Sequence, residues 1–155
     1  MHPTVARVVR ALEAEGWQGE VRELSDSART AAQAAAALGC DVGAIASSLL
    51  FRADDDPLLV LTSGAHRVDT SVVTALIGAA AVDMAPPPLV REATGFAIGG
   101  VAPVGHPSPL RTLVDVDLGL HDVCWAAAGH PHAVFSTTFD ELVRLTAGTP
   151  ARVHA

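Results

Sequence analysis

A β-hairpin is predicted by residues 45–62, which read IASSLLFRADDDPLLVLT. The runs Ile45–Arg52 and Leu58–Thr62 are apolar, and an aspartate-rich turn that ends at Pro57 separates them. Two short apolar segments joined by a tight polar turn are typical of adjacent antiparallel strands. The stretch therefore predicts the two paired strands from which the rest of the fold can be assembled.

Helices and further strands are predicted on both sides of this hairpin. Apolar residues at helical spacing, with capping residues before them and glycines after them, predict helices over residues 4–15, 31–38, 70–77 (capped by Asp69 or Thr70), 86–94 and 138–145. Short strands are predicted at residues 20–24, 80–83, 111–115, 122–127, 134–137 and 151–154. Because hairpins and crossovers are mixed in this order, we expect an α+β fold with a mixed sheet, not a doubly wound βαβ fold.

Length and composition predict one domain over residues 1–155. The chain is 50% hydrophobic with a mean hydropathy of +0.36, which is far from the composition of a disordered protein. No apolar run approaches the roughly 18 residues that a membrane-spanning helix needs. The amphipathic start is unlike a signal peptide. Two cysteines, Cys40 and Cys124, are too few for a disulfide scaffold, so we expect a cytoplasmic protein with reduced thiols.

The charged residues exclude several functional classes. The chain has ten arginines, no lysine and a formal net charge of −7. The absence of lysine excludes a Schiff-base lysine and a phosphate-clamping lysine. The acidic balance disfavours a generic DNA-binding protein, which must neutralise many phosphates. A protein that holds only the tip of a nucleic acid remains compatible with this charge.

A loop rich in glycine and proline is the most informative candidate site. Residues 95–109 contain four glycines and three prolines. Glycine lets a backbone approach a ligand closely, and unpaired N–H groups there can hold a carbonyl oxygen or a developing oxyanion. The segment is not GxGxxG and follows a predicted helix, so it is no dinucleotide fingerprint. The alternative is a tight connection between core elements.

Metal binding and covalent catalysis are both disfavoured by the sequence. His130-Pro131-His132 is one HxH pair, and His121 precedes Cys124 by three residues, whereas a structural zinc site needs four ligands. No G-x-S-x-G nucleophile elbow is present. We therefore expect no metal, no cofactor and no attacking side chain.

Five segments follow one another in a recognisable order and spacing: Ala31–Gly39, Ile45–Phe51, Arg67–Asp69, Gly99–Pro103 and Leu113–Asp115. Together with the last helix around Glu141, they resemble the YbaK/EbsC family, the editing domain associated with prolyl-tRNA synthetase. The resemblance covers roughly residues 1–154. It implies an α+β fold with a mixed, barrel-like six-stranded sheet and flanking helices. It also implies trans-acting hydrolysis of the ester of mischarged tRNA, by water and with help from the substrate's ribose hydroxyl.

The resemblance also implies a set of site residues. Backbone groups of the G-x-x-x-P loop, which matches Gly99–Pro103, would hold the ester carbonyl. Ser47 and Ser48 would touch the polar end of the substrate, and His130 would line the aminoacyl pocket, as in an HP…TT segment that ends here at Thr137 and Thr138. The expected catalytic residues are Gly99, Gly100, Val101, Ala102 and Ser47, and the expected substrate-binding residues are Ser48, Arg67, Pro103, His130, Thr137 and Asp115. The implied partners are the acceptor end of an aminoacyl-tRNA and a synthetase, with no membrane.

One position departs from the family. The family strand reads approximately I-x-K-[ST]-L-x-F, and Ser47 stands where its lysine would be. Serine cannot supply a positive charge. Arg52 would face away from Ser47 on an alternating strand, so Arg67 is the better candidate to replace the charge. The alternative function is a weakened homologue that binds a nucleotide, a tRNA end or a protein without turnover.

Overall fold

The computed structural model describes residues 2–155, which form five α-helices and eight strands. The helices are α1 (Pro3–Ala14), α2 (Ala31–Leu38), α3 (Thr70–Ile77), α4 (Pro87–Thr94) and α5 (Phe139–Thr146). The strands are β1 (Val21–Glu23), β2 (Ile45–Ala53), β3 (Asp56–Ser63), β4 (Val82–Met84), β5 (Arg111–Asp115), β6 (Cys124–His130), β7 (Ala133–Thr137) and β8 (Thr149–Ala151). The 3-10 turns at Val42–Ala44 and Val116–Leu120 complete the elements. Because α1, the longest helix, has only 12 residues, no helix within residues 2–155 could cross a membrane.

All eight strands belong to one mixed sheet, which confirms the α+β class. Their order is β1-β7-β6-β2-β3-β5-β8, and β4 pairs with β2 beside this path. The β2–β3 hairpin is antiparallel as predicted, whereas β2–β6 and β3–β5 are parallel. The sheet has eight strands and not the six expected from the resemblance, and three of the eight, β1, β4 and β8, are only three residues long.

Strand β2 shares one of its edges between two partners. On this edge of β2, strand β6 pairs only with Ile45 and Ala46, and β4 pairs only with Phe51–Ala53. The intervening residues, Ser47–Leu50, have no strand partner on this edge, although their other edge pairs fully with β3. The sheet is therefore split at the middle of β2.

Apolar side chains pack on both faces of the sheet. On one face Val8 and Leu12 of α1 and Leu142 of α5 join the core around Phe135. On the other face Val73 of α3 packs in a cluster with Phe51. The split edge of β2 thus lies in a scaffold that is held rigid by packing on both sides.

The last strand of the sheet lies earlier in the chain than the sequence predicted. Strand β8 covers Thr149–Ala151, whereas residues 151–154 were expected to form it. The carbonyl of Val153 accepts a hydrogen bond from the N–H of Asp69, and the His154 ring contacts Asp117. These contacts draw the chain away from the sheet after Ala151.

Candidate active site

A cavity of about 300 Å³ opens where β2 lacks a partner, between β6 and β4. We call it the main cavity. Its size lies at the lower end of the range for small-molecule sites, and its wall is largely apolar, as is typical of such sites. The wall includes the side chains or backbone of Ile45, Ser47, Ser48, Leu50, Val90, Gly99, Val101, Trp125 and Pro131.

Two polar groups of Ser48 are available at the split edge. The Ser48 hydroxyl is buried and has no hydrogen-bond partner within residues 2–155, although Ser48 lines the main cavity. The Leu50 carbonyl accepts from Ala85 N on the side away from β3. Because backbone groups alternate in direction along a strand, the N–H and C=O of Ser48, two residues earlier, point to this same side. Ser48 therefore offers both its hydroxyl and its main chain to a ligand.

The glycine-rich loop supplies fewer donors than expected. Gly99 and Val101 line the main cavity, and within residues 2–155 their N–H groups make no hydrogen bond. The N–H of Gly100 already donates to the Ala97 carbonyl at 3.0 Å. The Ala102 N–H is also unpaired in the described chain, but Ala102 is fully buried and does not line the cavity. Gly99 and Val101 are thus the two expected loop donors at the wall, where the N–H of Ile98 is also unpaired in the described chain, and Gly100 has a packing role.

Contacts on both sides hold this loop in place. A Cβ atom at Gly100 would lie 3.1 Å from the Cα of His130 and 3.1 Å from the Cδ of Pro131, so the loop packs directly on that segment. The His106 ring lies 2.7 Å from the Ala102 carbonyl, to which its Nε2–H donates. Burial lowers the pKa of His106, which favours the neutral ring in this position.

Three expected substrate-binding residues lie outside the wall of the main cavity. The His130 ring lies beside His2 and His132, with centroids 5.0 and 5.6 Å away, and Pro131 takes its place at the wall. The Thr137 hydroxyl donates to the Glu141 carboxylate at 2.7 Å. Pro103 is buried. The backbone of His130, and not its ring, contacts the glycine-rich loop, because Gly100 packs against it.

Arg67 lines a second cavity of about 450 Å³ that shares wall residues with the first. We call it the side cavity. Ser47 and Leu49 belong to the walls of both cavities, while His66 and Arg67 belong only to the side cavity. The exposed Arg67 side chain therefore lies in the neighbouring side cavity, which is joined to the main cavity through Ser47, and not in the main cavity itself.

Asp115 is a structural residue and does not line the main cavity. Its side chain has 0% exposure. Oδ2 accepts from the Ser63 N–H at 2.8 Å and lies 2.6 Å from His66 Nε2, and Oδ1 accepts from the Asp117 N–H at 3.0 Å. The sequence placed it near a strand end but could not show that internal groups satisfy its carboxylate.

We expect Asp115→Ala to destabilise the protein by about 3 kcal/mol, because it leaves the Ser63 N–H and its neighbours buried without an acceptor. For a chain of this length that loss lowers Tm by roughly 6–12 °C. Asp122→Ala, at an exposed aspartate, is the matched control and should shift Tm by no more than about 1–2 °C. Thermal unfolding by circular dichroism measures both variants, and equal Tm values would contradict the prediction.

Arg29 is a site residue that the sequence did not indicate. It lies in the polar turn before α2 and lines the main cavity, with its Nε–H donating to the Asp26 carbonyl at 3.3 Å. Its guanidinium is exposed and can accept an anionic partner. Only the docking of α2 beside β2 brings this turn to the cavity, so no local signal marks it.

The thiols and the histidine pairs are not part of the main cavity. Burial raises the pKa of Cys124 to about 11, so its thiol is not an available nucleophile. Within residues 2–155, the only group of three side chains close enough to share a metal ion is His66, Asp117 and His154. Neither the HxH pair nor the pair of His121 and Cys124 forms such a group.

Comparisons with known proteins identify the family of this chain. The family of aminoacyl-tRNA editing domains matches residues 25–145. An uncharacterized Bacillus subtilis protein, YwhH, is 32% identical over 126 residues, which are 81% of this chain and 80% of that protein. A proline–tRNA ligase of Bacillus licheniformis is 34% identical over 118 residues, 74% of this chain but only 20% of the ligase.

Among solved structures, a crystal structure described as a candidate trans-editing enzyme for prolyl-tRNA synthetase superposes with a TM-score of 0.94 at 44% identity. The match covers 100% of this chain and 99% of that protein. Sequence and fold agree over almost the entire length, as the resemblance to the YbaK/EbsC family predicted. The chain belongs to the family of aminoacyl-tRNA editing domains.

Proposed function

We propose that the protein is a trans-acting deacylase that hydrolyses the ester bond of mischarged aminoacyl-tRNA. The observation that carries this proposal is the split edge of β2, where the main cavity is lined by residues with unpaired polar groups. These include the hydroxyl and main chain of Ser48 and the N–H groups of Gly99 and Val101. A site made of fixed main-chain donors in an apolar wall suits an acyl ester, whose carbonyl oxygen gains negative charge when it is attacked.

The reaction follows from this arrangement. A water molecule adds to the ester carbonyl, and the N–H groups of Gly99 and Val101 stabilise the oxyanion that forms. The bond between the carbonyl carbon and the ribose oxygen then breaks, the ribose oxygen takes the proton that the attacking water gives up, and the amino acid and the tRNA leave. The neighbouring ribose hydroxyl is suited to move that proton, because no His, Asp or Glu side chain of the described chain lines the main cavity. Removing one such donor typically costs 10²–10³ in rate.

The apolar wall sets the size of the amino acid that is accepted. Leu50, Val90 and Trp125 surround the cavity. Such a pocket discriminates by only about 1–3 kcal/mol per methylene. With about 300 Å³ to hold both the acyl group and part of the terminal adenosine, we propose small amino acids such as alanine, serine or cysteine as substrates.

Arg29 is proposed to bind the phosphate of the terminal nucleotide in place of the missing lysine charge. Arg67 faces the side cavity and is the weaker candidate. We expect Arg29→Gln to weaken binding of an acceptor-stem RNA by about tenfold, the cost of roughly 1.4 kcal/mol for one charged contact. Arg67→Gln should weaken it less. Fluorescence anisotropy at fixed salt measures the affinity.

The control for this binding experiment is Arg111→Gln. Arg111 is exposed on β5 and lines neither the main nor the side cavity. The Arg111→Gln substitution removes the same charge as Arg29→Gln, so it measures the general loss of electrostatic attraction to RNA. Equal effects of the Arg29 and Arg111 variants would exclude Arg29 from the binding site.

Turnover of charged tRNA tests the function directly. The protein is incubated with alanyl-, seryl- and cysteinyl-tRNA, and the loss of ester is measured against uncatalysed hydrolysis. Ester loss above the background supports a deacylase. Binding of the acceptor end without ester loss supports the alternative of a weakened homologue, which the serine at position 47 favours. A synthetase partner and a cytoplasmic location remain predictions.

A further inference from the structure

We propose that His66, Asp117 and His154 form a binding site for a divalent transition-metal ion of the zinc class. His66 lies in the loop between β3 and α3, Asp117 in the 3-10 turn after β5, and His154 in the segment after β8. Their candidate ligand atoms all lie within 4.8 Å of one another, and all three side chains are partly buried. Two imidazole nitrogens and one carboxylate oxygen are a common ligand set for zinc.

The hydrogen bonds fix the orientation of the His66 ring. Its Nε2 lies 2.6 Å from Oδ2 of Asp115, a fully buried carboxylate that can only accept, so Nε2 carries the hydrogen. The other nitrogen, Nδ1, then presents a lone pair toward Oδ2 of Asp117 at 3.5 Å. A histidine held by a carboxylate through one nitrogen, with the other nitrogen directed at a cluster, is the arrangement that metal-binding histidines usually have.

The His154 ring has the same arrangement. Its Nδ1 lies 2.9 Å from the main-chain oxygen of Ala155, which can only accept, so Nδ1 carries the hydrogen. Its Nε2 lone pair then faces Oδ2 of Asp117 at 2.9 Å. Two imidazole nitrogens and a carboxylate oxygen therefore converge from three separate segments, and neutral rings in this arrangement present two nitrogen lone pairs and a carboxylate oxygen to a cation.

The distances within the cluster fit a shared metal ion. The centroids of the His66 and His154 rings are 3.9 Å apart with an interplanar angle of 35°. The distances of 2.9 and 3.5 Å from the two rings to Asp117 bracket the separation of about 3.3 Å between ligands in tetrahedral zinc sites.

The site would fasten three separate segments beside the side cavity. His66 lines that cavity directly before Arg67, and the cavity shares Ser47 with the main one. A bound metal would tie this loop to the segment after β8, which leaves the sheet at Ala151. The inference does not depend on the proposed ester hydrolysis, since it concerns binding alone.

Titration of chelator-treated protein with Zn²⁺ tests the proposal, with Co²⁺ absorption as a second readout of the ligand set. We expect one site per chain. His154→Gln should weaken Zn²⁺ binding by more than a hundredfold. Asp115→Asn, which keeps the ligands but loses the outer carboxylate, should weaken it by about 10–100-fold. His132→Gln, which alters the HxH pair, is the matched control and should leave the affinity unchanged.

Two results would overturn the proposal. One is Zn²⁺ affinity that is equal in the wild type and in His154→Gln, or that falls instead in His132→Gln. The other is a Co²⁺ absorption spectrum that is the same in the wild type and in His154→Gln, which would show that the His154 ring is not a ligand.

Discussion

Replacing Ser47 with lysine is expected to raise kcat/KM for ester hydrolysis by about a hundredfold. Ser47 is half-buried and belongs to the walls of both cavities, so a longer side chain there can extend along Leu49 and reach the opening. Lysine stems pack on apolar surface and leave the ammonium free. A charge-assisted contact to the phosphate or ester is worth up to about 3 kcal/mol, which corresponds to this factor in rate.

The control is Ser47→Met, which has a similar length and no charge. A gain with lysine and none with methionine shows that the positive charge is the limiting feature. Turnover of the lysine variant that equals that of the wild type contradicts the prediction, and would mean that Arg29 already supplies the required charge. Comparing Arg29→Gln with the double variant that also carries Ser47→Lys tests this explanation, because a lysine that can replace the arginine charge restores the turnover that Arg29→Gln loses. Initial rates on charged tRNA at one salt concentration provide the comparison.

Much of the local structure follows from short-range signals. Helix α2 has the predicted bounds because Thr30 forms a capping box with Gln33 and Gly39 ends the helix with φ of +71°. The β2–β3 hairpin follows from its turn and its two apolar runs. Each of these signals acts within a few residues, so it can be recognised without tertiary information.

The features that form the site depend on long-range contacts. The split edge of β2 exists because the pairing with β6 ends at Ala46 of β2 and the pairing with β4 begins at Phe51 of β2. No property of residues 47–50 in the sequence indicates this gap. Arg29 reaches the main cavity only because α2 docks there. The cluster of His66, Asp117 and His154 joins residues that are far apart in sequence. The spacing of glycines and prolines in the sequence could therefore indicate the loop at Gly99–Pro103, but not the residues that surround it in the fold.

The donors of this loop could be predicted only in part, because a Gly-rich segment does not show which amides its own turn consumes. Gly100 was expected to be a donor, but its N–H closes a turn onto Ala97. Its lack of a side chain is what matters, since it allows the loop to pack on His130 and Pro131. The glycine is thus required for position and not for its hydrogen bond.

This role predicts that Gly100→Val lowers kcat by about a hundredfold. The first atom of a side chain would lie 3.1 Å from both the His130 Cα and the Pro131 Cδ, and valine adds two methyl groups beyond it. Because the neighbours on one side are backbone atoms, the loop must move. A displacement of about 1 Å at Gly99 and Val101 misaligns the oxyanion donors, and shifts of this size can cost about 10² in rate. Overpacking should also cost about 1–3 kcal/mol of stability.

Ala97→Val is the matched control, because it places the same side chain in the same loop at an exposed position. It should leave both kcat and Tm nearly unchanged. The affinity of Gly100→Val for uncharged acceptor-stem RNA should also persist, since Arg29 lies on another part of the wall. A fall in kcat with intact RNA binding therefore points to the donors, whereas a variant that is less stable but still hydrolyses the ester at the wild-type rate would show that the loop amides do not stabilise the oxyanion.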